Sequence, residues 1–528
     1  MNRLNHRRVL FLSLNLNLIL NLFLIPSSFS RPSILVHFMP WFQSPTVRGY
    51  WGWHWTMNHF NPETIDSMGH RAIASHFYPS TGPYDSMDPN ILEYQALLMK
   101  IAGIDGVLVD WYGMENYLDY GLNNDATIAV FTEMQKAGLN FGIVYEDQTI
   151  KQMVTNNHIS AENALSYGKT VMQYLQTHWF SSDTYFKLDN QPLLLTFGPQ
   201  YFQTSADWDT LFSVLPTKPL FFTLDAQLSP VAAGAFPWPP MSKSNASGVL
   251  TQSVLDDYLG QFYAQAIYWP YVVTSAFPGF HDIYAEAGVG PSYGYLDAMN
   301  GATFEDTYSQ ALSHNANVVQ VVTWNDYGEG TIVEPTAEFG TQYLEMIQSA
   351  RDSLEPGFPF GRMDLSIPLK VFQGRSQNPG NVPLNAAFDR LFQLVVSDQA
   401  GAARLLADSL FPTSSVGGKS AEPSRYELRQ NYPNPFNPAT VISYELPVSS
   451  EVSLKVFDLL GREVAELVNG RQGPGDYMVQ FDATRTQGGT SRHRGEASGV
   501  YLYRLAATPE EGKNHAAYIM IKAMELIK

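Results

Sequence analysis

From about Arg31 to Glu355, short apolar runs alternate with segments of helical periodicity, and this alternation restricts the folds open to the chain. The runs are Ile34–Phe42, Ile73–Pro79, Gly106–Tyr112, Phe141–Glu146, Pro192–Phe197, Leu220–Asp225, Tyr271–Phe277 and Val318–Trp324. Several are apolar at nearly every position, as strands covered on both faces of a parallel sheet must be. The segments between them carry helix signals. Asp88-Pro89 is a cap followed by a proline suited to a first turn. Ile91, Tyr94, Leu98 and Ile101 then recur at helical spacing, and Gly103 stops the run. Asp125 to Ala137 repeats the plan with Gly138 as its stop, and a third helix is expected from Ser160 with Leu165, Met172 and Leu175 inward. Eight strands with helices between them predict an α/β fold, a (β/α)8 TIM-type barrel with enlarged loops. No GxGxxG turn follows the first run, which disfavours an open, doubly wound dinucleotide fold.

Such a barrel presents its chemistry where the strands end. The last run ends in Trp324-Asn325, and two acids follow, Asp326 and Glu329, with Gly328 and Gly330 around the second. Cleaving a glycosidic bond generally takes two carboxyl groups. One protonates the leaving oxygen, and the other activates the attacking group. Glycines at these positions let the chain turn so that both acids face one mouth. Spacing alone leaves two surface acids on a loop as the other reading, and the aromatic-amide lead-in at a strand end favours the mouth.

Other runs end in the same style. Trp41 closes the first, Asp110-Trp111-Tyr112 the third, and Trp324 the eighth. An indole at a barrel mouth is a platform for the apolar face of a sugar, with core packing as the alternative for any single one. The cluster Trp51-Gly52-Trp53-His54-Trp55 follows the first run, and we place His54 and Trp55 among the candidate ligand contacts. Tyr78 and Tyr84 lie in a Pro/Gly-turned loop after the second run, and Glu146 ends the fourth. A buried acid needs a partner, a substrate hydroxyl or a neighbouring tyrosine. No His/Asp group has metal-ligand spacing, and no nucleophile elbow or phosphate loop occurs, so neither a metal nor a cofactor is expected.

The ends of the chain read differently. Residues 1–30 have a basic start, an apolar run from Val9 to Ile25 interrupted by Asn15, Asn17 and Asn21, and small residues at Ser28 and Ser30, the pattern of a cleaved secretory signal peptide. Residues 31–355 form the expected barrel. Residues 356–424 carry an amphipathic helix marked by Leu384, Phe388, Leu391, Phe392 and Val395, a second over Ala402–Leu410, and a linker from Thr413 to Ser424. In residues 425–528, Ile442, Tyr444 and Leu446 alternate with polar neighbours, as do Leu454 and Val456, and Tyr501, Tyr503 and Leu505. This predicts a small all-β, immunoglobulin-like sandwich. All ten tryptophans lie between Trp41 and Trp324, which puts the aromatic ligand-binding surface in the barrel. The net charge of -18 argues against nucleic acid as a partner, and a neutral glycan suits the acidic, aromatic-rich barrel better.

In combination, FMPWF, the His54-Trp55 pair, YPSTGPYDSMDP, AGIDGVLVDWYG and TWNDYGEGTIVEP resemble glycoside hydrolase families 71 and 99, the α-1,3-glucanases and endo-α-mannosidases. The closing motif of the mannosidase family resembles Asn-Glu-Trp-His-Glu-Gly-Thr. Carried over, the resemblance implies that Glu329 is the proton donor. Asp326 would be the base, acting on the substrate's own 2-hydroxyl, which then attacks the anomeric carbon. Tyr327-Gly328 replaces Trp-His here and resembles the glucanases, whereas Gly330-Thr331 and Glu334-Pro335 resemble the mannosidases, so Glu334 joins the candidate site. The implied function is a secreted, endo-acting glycoside hydrolase of α-mannan or α-1,3-glucan, and its rival is a non-catalytic glycan-binding surface protein on the same scaffold. NYPNPFNPAT, LKVFDLLGREVAELV and SGVYLYRL resemble the C-terminal sorting domain of the type IX secretion system. That resemblance implies the outer-membrane secretion machinery of a Gram-negative bacterium as a partner, delivery through the periplasm, and a secreted or cell-surface location. Arg485 to Glu496 is expected to form a longer surface loop.

Overall fold

The computed structural model describes residues 31–411, 425–431, 434, 436, 439–483, 498–509 and 518–526. The expected signal peptide, the Thr413–Ser424 linker and the Arg485–Glu496 loop lie outside the described residues. The chain divides into two compact units between Pro412 and Thr413.

In the first unit, eight strands run parallel to their neighbours: β1 (Ser33–Phe38), β2 (Gly106–Trp111), β3 (Asn140–Tyr145), β4 (Gln191–Thr196), β5 (Leu220–Leu224), β6 (Gly234–Phe236), β7 (Val273–Ala276) and β8 (Val318–Val321). Their order is β6-β5-β4-β3-β2-β1-β8-β7, a nearly closed barrel. The ends of this path approach closely, since a Cβ built on Gly234 of β6 would lie 3.0 Å from the carbonyl oxygen of Tyr271, just before β7. The fold is therefore mixed α/β with the strand count of a TIM-type barrel. Leu35, Leu108, Val144, Leu195, Phe222 and Val318 belong to one buried cluster within it.

One of the expected strands needs correction. Ile73–Pro79 forms no strand. Its backbone bonds go elsewhere, Ala74 donating to Trp55 and Ser80 to Pro335, so it lies outside the barrel ladder and β1 pairs directly with β2. The strand that completes the set is Gly234–Phe236, three residues long and too short to show a period.

The main helices lie between the strands, with one after β8: α1 (Pro89–Ala102), α2 (Tyr120–Ala137), α3 (Ala164–Leu175), α4 (Ser205–Phe212), α5 (Gln252–Ala266), α6 (Ala302–Ser313) and, following β8, α7 (Gln342–Leu354). α1 starts as its sequence requires, with the Asp88 side chain accepting from the Asn90 amide at 2.9 Å, and it ends at Gly103 with φ +78°. In α3, Met172 and Leu175 point inward as expected, but Leu165, in the first turn of the helix, is exposed. At the N-terminal face, Arg351 of α7 and Arg31 both reach Asp105, at 2.7 and 2.9 Å. Three further helices, α8 (Ile367–Gln377), α9 (Val382–Val396) and α10 (Ala400–Leu410), belong to the same unit. Arg375 of α8 ties them to α1 through Glu93 at 2.9 Å.

The second unit has two antiparallel sheets. One contains β9 (Ala439–Leu446) and β12 (Gly475–Asp482), with Glu427–Leu428 at the edge of β9. The other runs β11 (Glu463–Gln472), β10 (Ser450–Asp458), β13 (Gly499–Pro509), β14 (Tyr518–Leu526). Ile442, Tyr444 and Leu446 of the first share one buried core with Leu454, Val456, Tyr503 and Leu505 of the second.

Candidate active site

A loop at the C-terminal end of β8 places two acids in one cleft. Thr323 and Trp324 pair backbone-to-backbone with Thr331, Val333 and Glu334, which closes the segment between them into a tight excursion. Within it the Asp326 amide donates to Thr323 Oγ1 at 2.8 Å, and the Glu329 amide donates to Asp326 Oδ1 at 3.0 Å. Gly330 turns the chain back at φ +71°. A Cβ there would sit 2.7 Å from the carbonyl oxygen of His281, so glycine is required twice over. The segment after β7 clasps the same loop, with His281 donating its amide to the Glu329 carbonyl at 2.8 Å and Ile283 to that of Gly328 at 3.0 Å.

The cleft has a volume of about 610 Å³. Of the residues expected from sequence, Asp326, Glu329, Trp41, His54, Asp110, Tyr112 and Glu146 line it. Trp41 stacks on His54 with ring centres 4.4 Å apart and planes at 9°, and it tilts against Tyr112 at 5.8 Å. Gln148 donates a hydrogen bond to Glu146. Below Asp110 lies fully buried His37 of β1. Burial lowers its pKa to about 3 and keeps it neutral. Gln320 of β8 donates to His37 Nδ1 at 2.9 Å, so the ring proton resides on Nε2 and is given to Asp110 Oδ2 at 3.2 Å.

The other expected residues lie elsewhere and are corrected as direct contacts. Trp111 is fully buried behind β2, giving its indole N–H to Asn124 of α2 at 3.0 Å and stacking on Tyr174 of α3 at 5.7 Å. Strand alternation sends Asp110 to the inside and Trp111 to the helix layer. Trp55 packs against Phe42 and Tyr327 and donates to the Tyr84 carbonyl at 2.7 Å. Trp324 is fully buried and away from the cleft wall. Tyr78 stacks on His70 at 4.0 Å, outside the cleft. Asn325, Tyr84 and Glu334 form a buried frame beneath the acid loop. Asn325 Oδ1 accepts from the Met39 amide at 2.8 Å, and its Nδ2 donates to the Met39 carbonyl at 3.0 Å, fastening β1 to the loop after β8. Glu334 accepts from Tyr84 and Tyr327 hydroxyls at 2.8 and 2.9 Å and from Gln95 at 2.8 Å.

Sequence reading missed much of the wall. Trp53 lines the cleft where Trp55 was expected, because the turn of helix Trp53–Thr56 directs Trp55 into the core. Trp238, Pro239, Tyr284, Tyr293, Gln200 and Asp225 also line it. Asp225 ends an expected strand without a motif around it, and the others sit on loops whose composition carries no periodic signal.

The carboxyls lie in graded environments. Burial raises Asp326 to about 6, and amides of Glu329 and Gly328 hold it down. Burial, then the charge of Asp326, followed by Asp282, Glu146 and Asp110, pushes Glu329 well above the usual carboxylate range. Asp110 and Glu146 are also raised, each chiefly by burial and then by a neighbouring acid. Among the described residues, no group of three or more His, Asp or Glu is placed to hold a metal ion.

The sequence matches the model of glycosyl hydrolase family 99 over residues 31–352, more than half of the chain. A mouse (Mus musculus) glycoprotein endo-alpha-1,2-mannosidase-like protein is 20% identical over 343 residues, covering 56% of this chain and 67% of that protein. The solved family 99 endo-alpha-mannosidase from Bacteroides thetaiotaomicron is 20% identical, with a TM-score of 0.45, covering 61% of this chain and 97% of the other. The protein described here is a glycoside hydrolase, and its chain belongs to glycosyl hydrolase family 99.

Proposed function

We propose that the protein cleaves internal α-mannosidic bonds of a mannan, with Glu329 as general acid and Asp326 as base. The observation that carries this reading is that both side chains line one cleft from one short loop while their protonation preferences differ. Two carboxyls whose surroundings push their pKa values apart divide into an acid and a base. Asp326, the more easily ionised, takes the proton of the sugar's 2-hydroxyl as that oxygen attacks C1. The C1–O bond to the leaving sugar breaks, and Glu329 gives its proton to the departing oxygen. The 1,2-anhydro sugar is then opened at C1 by water that Glu329, now a carboxylate, deprotonates, and Asp326 returns the proton to O2. Attack by O2 from the face opposite the leaving group requires the two to be trans. That holds for an α-mannoside and fails for an α-glucoside, so this use of Asp326 favours mannan over α-1,3-glucan. Two successive inversions at C1 leave the product in the α configuration.

The test incubates wild-type protein, Glu329→Gln and Asp326→Asn with α-mannans and α-1,3-glucan, following products by NMR. Wild type should release α-configured mannan fragments, and each variant should lose roughly 10³-fold or more in kcat while still binding the glycan. Turnover of glucan alone, or variants that retain wild-type kcat, would overturn the assignment. For residues 425–528 we propose an immunoglobulin-like export module, supported by the motif resemblance and by their forming a separate unit. Deleting them should leave glycan cleavage intact and abolish delivery to the cell surface.

A further inference from the structure

Across the barrel mouth from β1, the end of β5 presents a carboxylate that the proposed reaction does not use. Asp225 adopts a left-handed backbone conformation, φ +60°, which Asp tolerates better than most side chains. Its amide donates to the Phe236 carbonyl at 2.9 Å, fastening it to β6. Its Oδ1 accepts from the Tyr258 hydroxyl of α5 at 2.5 Å, and that hydroxyl accepts the Trp238 amide at 3.2 Å. Thr223 Oγ1 fixes the turn that follows, donating to the Ala226 carbonyl at 2.6 Å and accepting the Leu228 amide at 3.1 Å. Asp225 is thus held through main chain and side chain, yet it is exposed and lines the cleft.

The carboxylate has the chemistry of a hydroxyl receptor. Its two oxygens offer about four acceptor positions, of which the Tyr258 hydroxyl fills one. Burial raises its pKa above the ordinary carboxylate value, and Tyr258, the Trp238 amide and Lys243 oppose that rise. A hydroxyl donating to a carboxylate makes a stronger bond than one donating to a neutral oxygen. Beside it, Trp238 and Pro239 form an apolar shelf, with Trp238 braced edge-on by His37 and Phe197, each at 4.8 Å. A charged acceptor beside an apolar shelf matches the two sides of a hexose, hydroxyl edge and C–H face. Asp326 and Glu329 follow β8, next to β1 in the barrel, whereas Asp225 follows β5 on the far side.

The geometry points to a second sugar-binding subsite at this wall, in which Asp225 receives hydroxyls of a hexose unit away from the bond being cleaved and Trp238 and Pro239 carry its ring. This rests on the glycosidase reading above and adds a specificity-determining residue to it. Tyr258 is a positioning residue that acts through Asp225.

The experiment measures hydrolysis of α-mannan and, by calorimetry, glycan binding to the full chain carrying Glu329→Gln, each with and without Asp225→Asn. Asp225→Asn keeps the side-chain volume and an acceptor for Tyr258 but removes the charge. The expected result is a roughly tenfold rise in KM and in Kd, equivalent to about 1.4 kcal/mol. The kcat should stay within about twofold and the melting temperature should not move. Tyr258→Phe should give a smaller rise in the same direction. Unchanged KM and Kd would overturn the subsite, as would kcat and melting temperature falling together, which marks a structural role. If wild type cleaves mannan and Asp225→Asn binds it equally well, only the subsite fails. If wild type neither cleaves nor binds it, the subsite and the mannanase reading both fail.

Discussion

Glu334 offers the sharpest test of how the acid loop is held, because its replacement by glutamine should change sign with pH. The carboxyl is buried and accepts three hydrogen bonds, from Tyr84, Tyr327 and Gln95. Glu334→Ala leaves those donors without an acceptor. An unsatisfied buried donor costs about 1–3 kcal/mol, so with partial rescue by water the loss should be about 3–5 kcal/mol. Glu334→Gln keeps the shape and one acceptor oxygen and should cost only about 1 kcal/mol at pH 5. Burial raises the Glu334 pKa to about 7, above its ordinary 4.5. The folded state therefore holds this proton more tightly than the unfolded chain. The associated stability is fully present below pH 4.5 and is lost as pH climbs through about 7. The amount at stake is of order 3 kcal/mol. Glutamine does not ionise and escapes this loss, so Glu334→Gln should be about 2 kcal/mol more stable than wild type at pH 8. Urea unfolding followed by tryptophan fluorescence measures the difference. All ten tryptophans lie between Trp41 and Trp324, so the signal reports the barrel unit alone. A Glu334→Gln difference that stays constant from pH 5 to 8 would refute the account of Glu334 as a buried, proton-holding hub.

Three further outcomes are expected. The kcat/KM profile should be a bell whose acidic limb lies near pH 6, where Asp326 ionises; in Asp326→Asn the basic limb of any residual activity should move to lower pH, because the charge that most raises Glu329 after burial is gone. Trp111→Ala should cost about 3–5 kcal/mol in urea unfolding and leave glycan affinity unchanged, whereas Trp41→Ala should weaken glycan binding measured by calorimetry. Asn325→Ala should lose about 2–4 kcal/mol and lower kcat in steady-state assays, because the Met39 amide and carbonyl lose their partner and β1 is released from the acid loop.

How far the sequence revealed this site depends on the length scale of each signal. Runs of five or six apolar residues such as Gly106–Trp111 announce a strand buried on both faces, and a proline-started, glycine-stopped segment such as Pro89–Ala102 announces a helix. Gly234–Phe236 is too short to announce anything, and Ile73–Pro79 is buried only at Ile73, Ala74 and Pro79 and makes its backbone bonds outside the barrel ladder. At the strand ends the sequence locates the mouth but not which of two adjacent residues faces it. Asp110 and Trp111 are neighbours on one strand, one in the cleft and one in the helix layer, and Trp53 and Trp55 exchange those fates within one helical turn. A one-residue change of phase therefore turns a ligand platform into a core side chain. The acids Asp326 and Glu329 escape this ambiguity, because a bend closed by Thr323, Thr331 and Gly330 brings residues three apart to the same side. The far wall is harder to read: Asp225 closes an expected strand with no aromatic or amide beside it, Trp238 and Tyr284 come from two loops, and only closure of the barrel makes all three neighbours of the acids. Half of the cleft is thus encoded in local pattern and half in topology, and the half set by topology is the one expected to choose among glycans.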